Sequence, residues 1–409
     1  MEKNLDNKKY QYIVDFEKLF FGMFVHFGIY SLAKKGEWYK KMYNISEKEY
    51  QKYFDNFKVH KSWAKEIVKT AKNAGMKYIT IVARHHDGFS LYDTCGLSDY
   101  DSLHTPTKHD LIKEFVDECH KQDIVPMFYH TLLDWRCEDY ENNFDKYIDY
   151  LVKSVEILCK NYGKIGGFWF DGYWDKPHAN WQFDRLYQTI RKYQPDAMII
   201  NNTGLSALGE VTHHEIDAVT FERGNPTKLH NGDGKYRTGE VCDSLTDHWG
   251  YAENDICIKS IPSLISEIID CKGCRCNFLL NIAPLPNGMI RPIEKYTLLE
   301  LGKWMKKCHS FIYNSCPADI EADNAVIVKD ENYYYAFIKN VPMVANENVS
   351  RQQQDLLVNI HSDKKIYDAC YLDDKKQKVD IDHKTNSIKI SSFSYGTSFF
   401  ARVIRFKLK

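Results

Sequence analysis

The chain has 409 residues, a formal net charge of -1 and 14% aromatic residues, among them 28 Tyr and 8 Trp. That length holds a full α/β barrel plus one smaller domain, and the near-zero charge offers no basic field to nucleic acid or anionic lipid. No stretch approaches about 18 uncharged apolar residues, so no membrane-spanning helix is expected.

Met1 to Phe16 is polar and charged, with no apolar run behind a basic start, so it does not read as an export signal. Without one, the 12 Cys read as reduced thiols in a cytoplasmic protein. Removal of an export segment from a precursor would reverse that expectation.

Taken in order, the first buried strand is Leu19–Gly28, ending near His26. Ile29-Tyr30-Ser31 and a loop with Glu37-Trp38-Tyr39 follow. Helical patterns cover Ser46–Phe54 and Ser62–Ala74, the second with Ser62 as N-cap and Gly75 as stop. Lys77–Ala83 is a strand running into Arg84-His85-His86-Asp87-Gly88-Phe89. Asp110–Lys121 is an amphipathic helix, with Leu111, Phe115, Val116 and Cys119 on one stripe. Ile124–His130 is a strand leading to Asp134-Trp135, and Asn143–Tyr162 is a long helix.

Ile165–Asp171 reads as a short buried strand with a carboxylate where it must end, and Gly172 lets the backbone turn. An acid there either caps the turn or serves chemistry, because desolvating it is costly. Trp181–Tyr193 is a helix, Ala197–Asn201 a strand, and Ala218–Phe221 a shorter strand before Glu222. Residues 225–258, rich in Gly, Asp and His, read as long loops over a cleft. Pro262–Cys271 is helical, Asn277–Ile282 the last clear barrel strand, and Ile293–Cys308 the closing helix.

Alternation of strand and helix predicts an α/β chain with a (β/α)8-like TIM barrel over residues 1–312. Seven strands are legible, and the eighth is expected to be weak or missing within 235–258. From 313 to 409, short β runs separated by turns predict a small C-terminal antiparallel β-sandwich. The polar run Ala345–Asp355 is expected as an exposed loop.

Several strand ends share one signature: His26, His85-His86-Asp87, Tyr129-His130, Asp134-Trp135, Trp169 with Asp171, Asn201-Asn202, and Glu222. In a barrel such groups converge on the carboxyl-terminal face. With these residues in view, the chain resembles the α-L-fucosidases of glycoside hydrolase family 29. The matching stretches are Phe21–Ser31 with Glu37-Trp38-Tyr39, then Arg84–Phe89, Trp169–Gly172, His248-Trp249-Gly250-Tyr251, and Asn277–Pro284 with Gly288. They span roughly residues 15–310. Where Arg84 stands, the family more often has Lys.

The resemblance implies a retaining exo-glycosidase that removes terminal α-L-fucosyl residues from oligosaccharides or glycoconjugates, without a cofactor or metal. It implies an Asp nucleophile, matched by Asp171. It also implies a fucose pocket matched by His26, Glu37, Trp38, His85, His86, Tyr129 and Trp169. The family's acid/base is a Glu of variable position. Glu222, within Thr220-Phe221-Glu222 and some fifty residues after Asp171, resembles its placement, with Glu210, Glu215 and Glu240 as rivals. Many members carry a sugar-contacting Arg after the fifth strand; here the chain reads Asn201-Asn202-Thr203.

The residue types suit this chemistry independently. A retaining glycosidase needs two carboxyl groups roughly 5–5.5 Å apart, one ionised to attack and one protonated to assist departure. Imidazoles can donate to or accept from vicinal hydroxyls, and aromatic walls suit a methyl group. Two other readings stay open. One is a metal-dependent barrel hydrolase using His85-His86-Asp87, with zinc at Cys271, Cys274 and Cys276 as a related case. The other is a fucose-binding protein without catalysis. The expected partner is a fucosylated substrate, with no nucleic acid and no membrane; a homo-oligomer is left open.

Overall fold

The computed structural model describes residues 9–204, 209–227, 229, 234–341, 356–394 and 396–409. The loop expected at 345–355 lies outside these residues.

Contacts group the chain into two compact units: Met1–Lys259 with Asn277–Leu299, and Ser260–Cys276 with Glu300–Lys409. We propose the cut after residue 312 as the sequence boundary, because the last helix ends at Tyr313 and only short strands follow it.

The first unit is built on a closed parallel barrel of β1 (Phe21–Val25), β2 (Tyr78–Arg84), β3 (Val125–Thr131), β4 (Gly167–Asp171), β5 (Met198–Asn201), β6 (Ala218–Glu222), β7 (Thr238–Ser244) and β8 (Cys276–Ile282). Neighbours in sequence are neighbours in the sheet, and β8 closes against β1. Every residue of β1, β2 and β8 is buried, as expected of parallel strands covered on both faces.

Eight strands are present: the seven legible ones and β7, Thr238–Ser244, which lies where a weak or missing eighth strand was expected, inside the stretch read as loop. Its sequence, TGEVCDS, carries acids and Gly where a buried strand normally shows an apolar run. The barrel accepts them because Glu240 is hydrogen bonded from other strands, as described below.

Side chains alternate across a strand, so one parity fills the barrel. The interior cluster includes Phe24, Tyr78, Val82, Met127, Tyr129, Trp169, Met198, Ile200, Ala218, Cys242 and Leu279. The same parity carries Asp171 with Trp169, Asn202 with Ile200, and Glu222 with Ala218. Register sets their heights: Tyr129 lies opposite Trp169, Thr131 opposite Asp171, and Thr220 opposite Glu240. Gly22 of β1 faces the Tyr78 ring so closely that a Cβ would lie 2.4 Å from it. Only Gly admits that ring to the interior.

Three α-helices were not anticipated, α1 (Gln11–Leu19) and the short α2 (Tyr39–Met42) and α6 (Glu138–Asn142). α1 places Ile13 and Phe16 against the interior cluster, Phe16 edge-on to Tyr78 at 5.1 Å. Burial of each contributes about 1.5–3 kcal/mol. The remaining helices are α3 (Glu47–Asp55), α4 (Trp63–Asn73), α5 (Leu111–Lys121), α7 (Phe144–Asn161), α8 (Phe183–Tyr193), α9 (Ile261–Gly273) and α10 (Pro292–Tyr313). A capping box between Ser46 and Glu49 starts α3, and Asp110 caps α5 by accepting from Lys113 N at 2.9 Å. Ser62 precedes α4 as expected, but its side chain makes no capping bond.

The second unit contains two antiparallel sheets. One runs β10 (Glu321–Ala322), β13 (Leu356–His361), β16 (Ser387–Ile390), β15 (Asp380–Asp382). The other runs β14 (Ile366–Tyr371), β17 (Arg402–Leu408), β12 (Tyr334–Ile338), β11 (Ala325–Lys329), β9 (Cys316–Pro317). Residues from both, including Ile338, Val358, Ile388 and Ile404, share one core. This is the expected β-sandwich.

Candidate active site

Both proposed carboxyls and all seven expected binding residues (His26, Glu37, Trp38, His85, His86, Tyr129 and Trp169) line one pocket at the carboxyl-terminal mouth of the barrel. Phe24, Trp174 and Trp249 complete its wall. Asp171 ends β4, and Gly172 follows at φ +95, where a Cβ would meet Leu133 at 2.7 Å. The turn after the acid therefore requires Gly.

Asp171 is surrounded by donors. Its Oδ2 accepts the Tyr129 hydroxyl at 3.0 Å and faces His86 Nε2 at 3.5 Å; its Oδ1 accepts Asn202 Nδ2 at 3.3 Å. Burial alone would raise this carboxyl, but His86, Tyr129 and Asn202 outweigh it and hold it below the ordinary value. Glu222, at the end of β6, accepts the same Asn202 nitrogen at 2.7 Å. Burial, then the Asp171 charge, push Glu222 up to about 7, against the pull of Asn202 and Arg223.

Two oxygens bonded to one nitrogen cannot be farther apart than those two bonds laid end to end, about 6 Å. Inverting glycosidases separate their carboxyls by roughly 6.5–9.5 Å, to admit a water, and retaining ones by roughly 5–5.5 Å.

The rival acids lie elsewhere. Glu210 is exposed. Glu215 precedes β6, at the opposite barrel end, and pairs with Arg191 at 3.4 Å. Glu240 is fully buried in the barrel interior, where it accepts the Tyr78 hydroxyl at 2.6 Å and the Trp169 indole N–H at 2.9 Å. None of the three lines the pocket.

The histidine tautomers follow from their partners. Asn281 donates to Ser244 Oγ at 2.9 Å and to the Trp249 carbonyl at 2.8 Å, so its own oxygen faces His26 Nδ1 at 2.7 Å. His26 Nδ1 must carry the hydrogen, which leaves Nε2 as an acceptor. Burial drives the His26 pKa down to about 4, so the ring is neutral. Thr131 gives its hydrogen to the Leu133 carbonyl at 2.5 Å, so His86 Nδ1, 2.6 Å from Thr131 Oγ1, is the donor of that pair, and His86 Nε2 donates to Asp171 only when the ring carries both hydrogens. Burial likewise holds His85 well below its usual value. Glu37 is buried and accepts Gly250 N at 2.6 Å, which joins the loop after β1 to the loop carrying Trp249. Its burial raises it against that bond.

His85, His86 and Asp87 do not converge. Asp87 accepts Tyr50 Oη at 2.9 Å and Phe89 N at 3.1 Å, while His86 faces Thr131 and Asp171. Among the described residues, the one His/Cys/Asp/Glu group spaced to hold an ion is Asp247, Asp255 and Cys257; it includes none of Cys271, Cys274 and Cys276.

In the sequence, Asn202 is one of the polar strand-end residues with no contact expected of it, and Trp249 and Asn281 stand only within the matching motifs. Extending the alternation of Met198 and Ile200 by one more step marks Asn202 as inward-facing. Trp174 follows the β4 turn, and its ring stacks against Trp38 at 5.7 Å.

A parallel barrel whose mouth holds a low and a raised carboxyl on one amide, walled by imidazoles and indoles, defines a glycoside hydrolase. A family model described as alpha-L-fucosidase matches residues 1–309. The tissue alpha-L-fucosidase of Macaca fascicularis is 27% identical over 330 residues, 74% of this chain and 69% of that one. The human tissue enzyme is 26% identical over the same shares. Alpha-L-fucosidase isoenzyme 1 from Paenibacillus thiaminolyticus superposes with a TM-score of 0.85 at 28% identity, covering 98% of this chain and 99% of the other. The chain belongs to the alpha-L-fucosidase family, glycoside hydrolases that act on α-L-fucosyl groups.

Proposed function

We propose that Asp171 is the nucleophile and Glu222 the acid/base of this hydrolysis. The observation that carries the reading is the pair itself: two carboxyls within about 6 Å on one amide, displaced in opposite directions. In the first step an ionised Asp171 oxygen bonds to C1 of the fucosyl group as the C1–O bond to the leaving group breaks. Glu222 gives its proton to that oxygen. In the second step Glu222 takes a proton from water, the water oxygen bonds to C1, and the Asp171 ester is released. Two displacements return the original anomeric configuration.

The walls serve binding. The free Nε2 of His26 accepts a sugar hydroxyl, and neutral His85 can donate or accept. Glu37, His86 and Tyr129 add polar contacts, and Trp38 and Trp169 supply apolar faces beside them. The substrate is a terminal fucosyl group on an oligosaccharide or glycoconjugate.

All twelve cysteines are free thiols, which supports a cytoplasmic setting. No described helix is long and apolar enough to cross a membrane.

Trapping with a 2-deoxy-2-fluoro fucosyl fluoride, followed by peptide mapping, tests the assignment. The label is expected on Asp171. A label on another side chain, or release of fucose with inverted configuration, overturns it. Tight fucose binding without any turnover would instead favour a non-catalytic binding protein.

A further inference from the structure

We propose that Asn202 is a positioning residue that ties the nucleophile and the acid/base to one amide, and that Thr220 locks that amide in the required orientation. The inference rests on the assignment of Asp171 and Glu222 above.

Asn202 lies one residue past β5, with only 1% of its surface exposed. Its backbone N–H donates to the Phe170 carbonyl at 2.9 Å, so the residue is pinned beside the strand that carries Asp171. Its side-chain nitrogen is 3.3 Å from Asp171 Oδ1 and 2.7 Å from Glu222 Oε2. Its side-chain oxygen accepts the Thr220 hydroxyl at 2.9 Å. Thr220 is two residues before Glu222 on β6, so both point inward. One strand thus supplies the acid/base and the group that orients the amide serving it.

The orientation is chemically forced. The amide has two hydrogens and one oxygen, whereas an ionised carboxylate only accepts. Turned over, the amide would set its oxygen against two carboxyl groups and leave the Thr220 hydroxyl facing N–H hydrogens. As found, each hydrogen has a carboxyl partner and the oxygen has a donor.

Two consequences follow for the reaction. Glu222 Oε2 is occupied by an N–H hydrogen, so the transferable proton resides on Oε1. The bridge also fixes the separation of the two carboxyls independently of the sugar, so the spacing for double displacement exists before substrate arrives.

The experiment is the pH dependence of kcat and KM on an aryl α-L-fucoside for Asn202→Ala and Thr220→Val, with Tm recorded for each. Asn202→Ala removes a donor that favours the ionised form of both carboxyls. Both limbs of the profile should therefore move to higher pH. kcat should fall roughly 10- to 100-fold, the worth of one hydrogen bond to a charged group, with KM little changed. Thr220→Val keeps the amide and its volume but frees it to turn, so the same changes should appear at smaller size.

A folded Asn202→Ala protein with unmoved limbs overturns the proposal, and so does a loss confined to KM, which would make Asn202 a sugar contact. Shifted limbs in Asn202→Ala with none in Thr220→Val overturns the lock. Glu222→Gln, measured alongside, separates the two levels of failure. A basic limb that persists in Glu222→Gln overturns the carboxyl assignment. A limb lost there yet unmoved in Asn202→Ala overturns the bridge alone.

Discussion

Trp169 and Glu240 are hydrogen bonded at 2.9 Å across the barrel interior, the indole N–H donating to a carboxyl that Tyr78 also serves at 2.6 Å. The acid is fully buried and lies behind a pocket wall, not in the pocket. It holds the Trp169 ring, which stacks on Tyr129 at 5.8 Å, and Tyr129 in turn donates to Asp171.

Glu240→Gln should keep the acid/base signature of the enzyme, with kcat/KM within about 10-fold, because Gln can accept from Trp169 and donate to Tyr78 Oη. It should also change how stability depends on pH. Burial lifts Glu240 to about 7, above the ~4.3 of an unfolded chain, so the folded state binds this proton more tightly. That contribution is full below the unfolded value and is lost as pH rises through 7. The fall in Tm between pH 4 and 8 should therefore be shallower in Glu240→Gln. An identical fall in variant and parent would count against it. Glu294, raised to about 8 by burial, has the same sign and keeps part of the slope.

The rate on an aryl fucoside should be bell-shaped in pH. Asp171 must be ionised and is held low, so the acid limb lies below the ordinary carboxylate range. Glu222 must be protonated and is raised to about 7, so the basic limb lies near there. The two limbs belong to the interacting pair. Activity that holds level to pH 9 would contradict the role given to Glu222.

Leaving-group dependence is the sharper test of Glu222. Glu222→Ala should slow natural oligosaccharides by about 10²–10⁴-fold, the usual worth of a general acid. An activated nitrophenyl fucoside needs no proton on departure and should suffer far less in the first step. Equal losses on both substrates would point to another acid.

Arg84 and Asp134 form an ion pair with both side chains buried, and the guanidinium lies 4.5 Å over the Tyr150 ring. Asp134 also accepts Arg136 N at 2.8 Å and Cys137 N at 2.9 Å, so it organises the loop that carries Trp135. Arg84→Met leaves the Asp134 charge unpaired and should cost about 3–5 kcal/mol by denaturant unfolding. Arg84→Lys should cost far less, because the pairing uses one terminal nitrogen. Equal destabilisation by both would argue that the ring contact, not the charge, dominates.

Prolonged EDTA treatment should leave turnover intact, since Asp87 faces Tyr50 while His86 faces Thr131 and Asp171, so the three side chains share no site. Inactivation that zinc restores would revive a metal mechanism.

Much of this was legible in the chain itself. Short apolar runs, such as those ending at His26, Tyr129 and Asp171, made seven strands legible, and the burial cost of an acid after Phe168-Trp169-Phe170 singled out Asp171 as a candidate nucleophile. These are local properties: an apolar run and the desolvation of an acid act within a few residues. Three things were decided only by closure of the barrel. Thr238–Ser244 is a strand because Trp169 and Tyr78, far away in sequence, supply hydrogen bonds to its buried acid. Glu222 is set apart from Glu210, Glu215 and Glu240 by which strand end faces Asp171. Asn202 acquires a partner on each side only when β4, β5 and β6 stand next to one another. Period tells which way a side chain points, but the register between neighbouring strands decides what it meets.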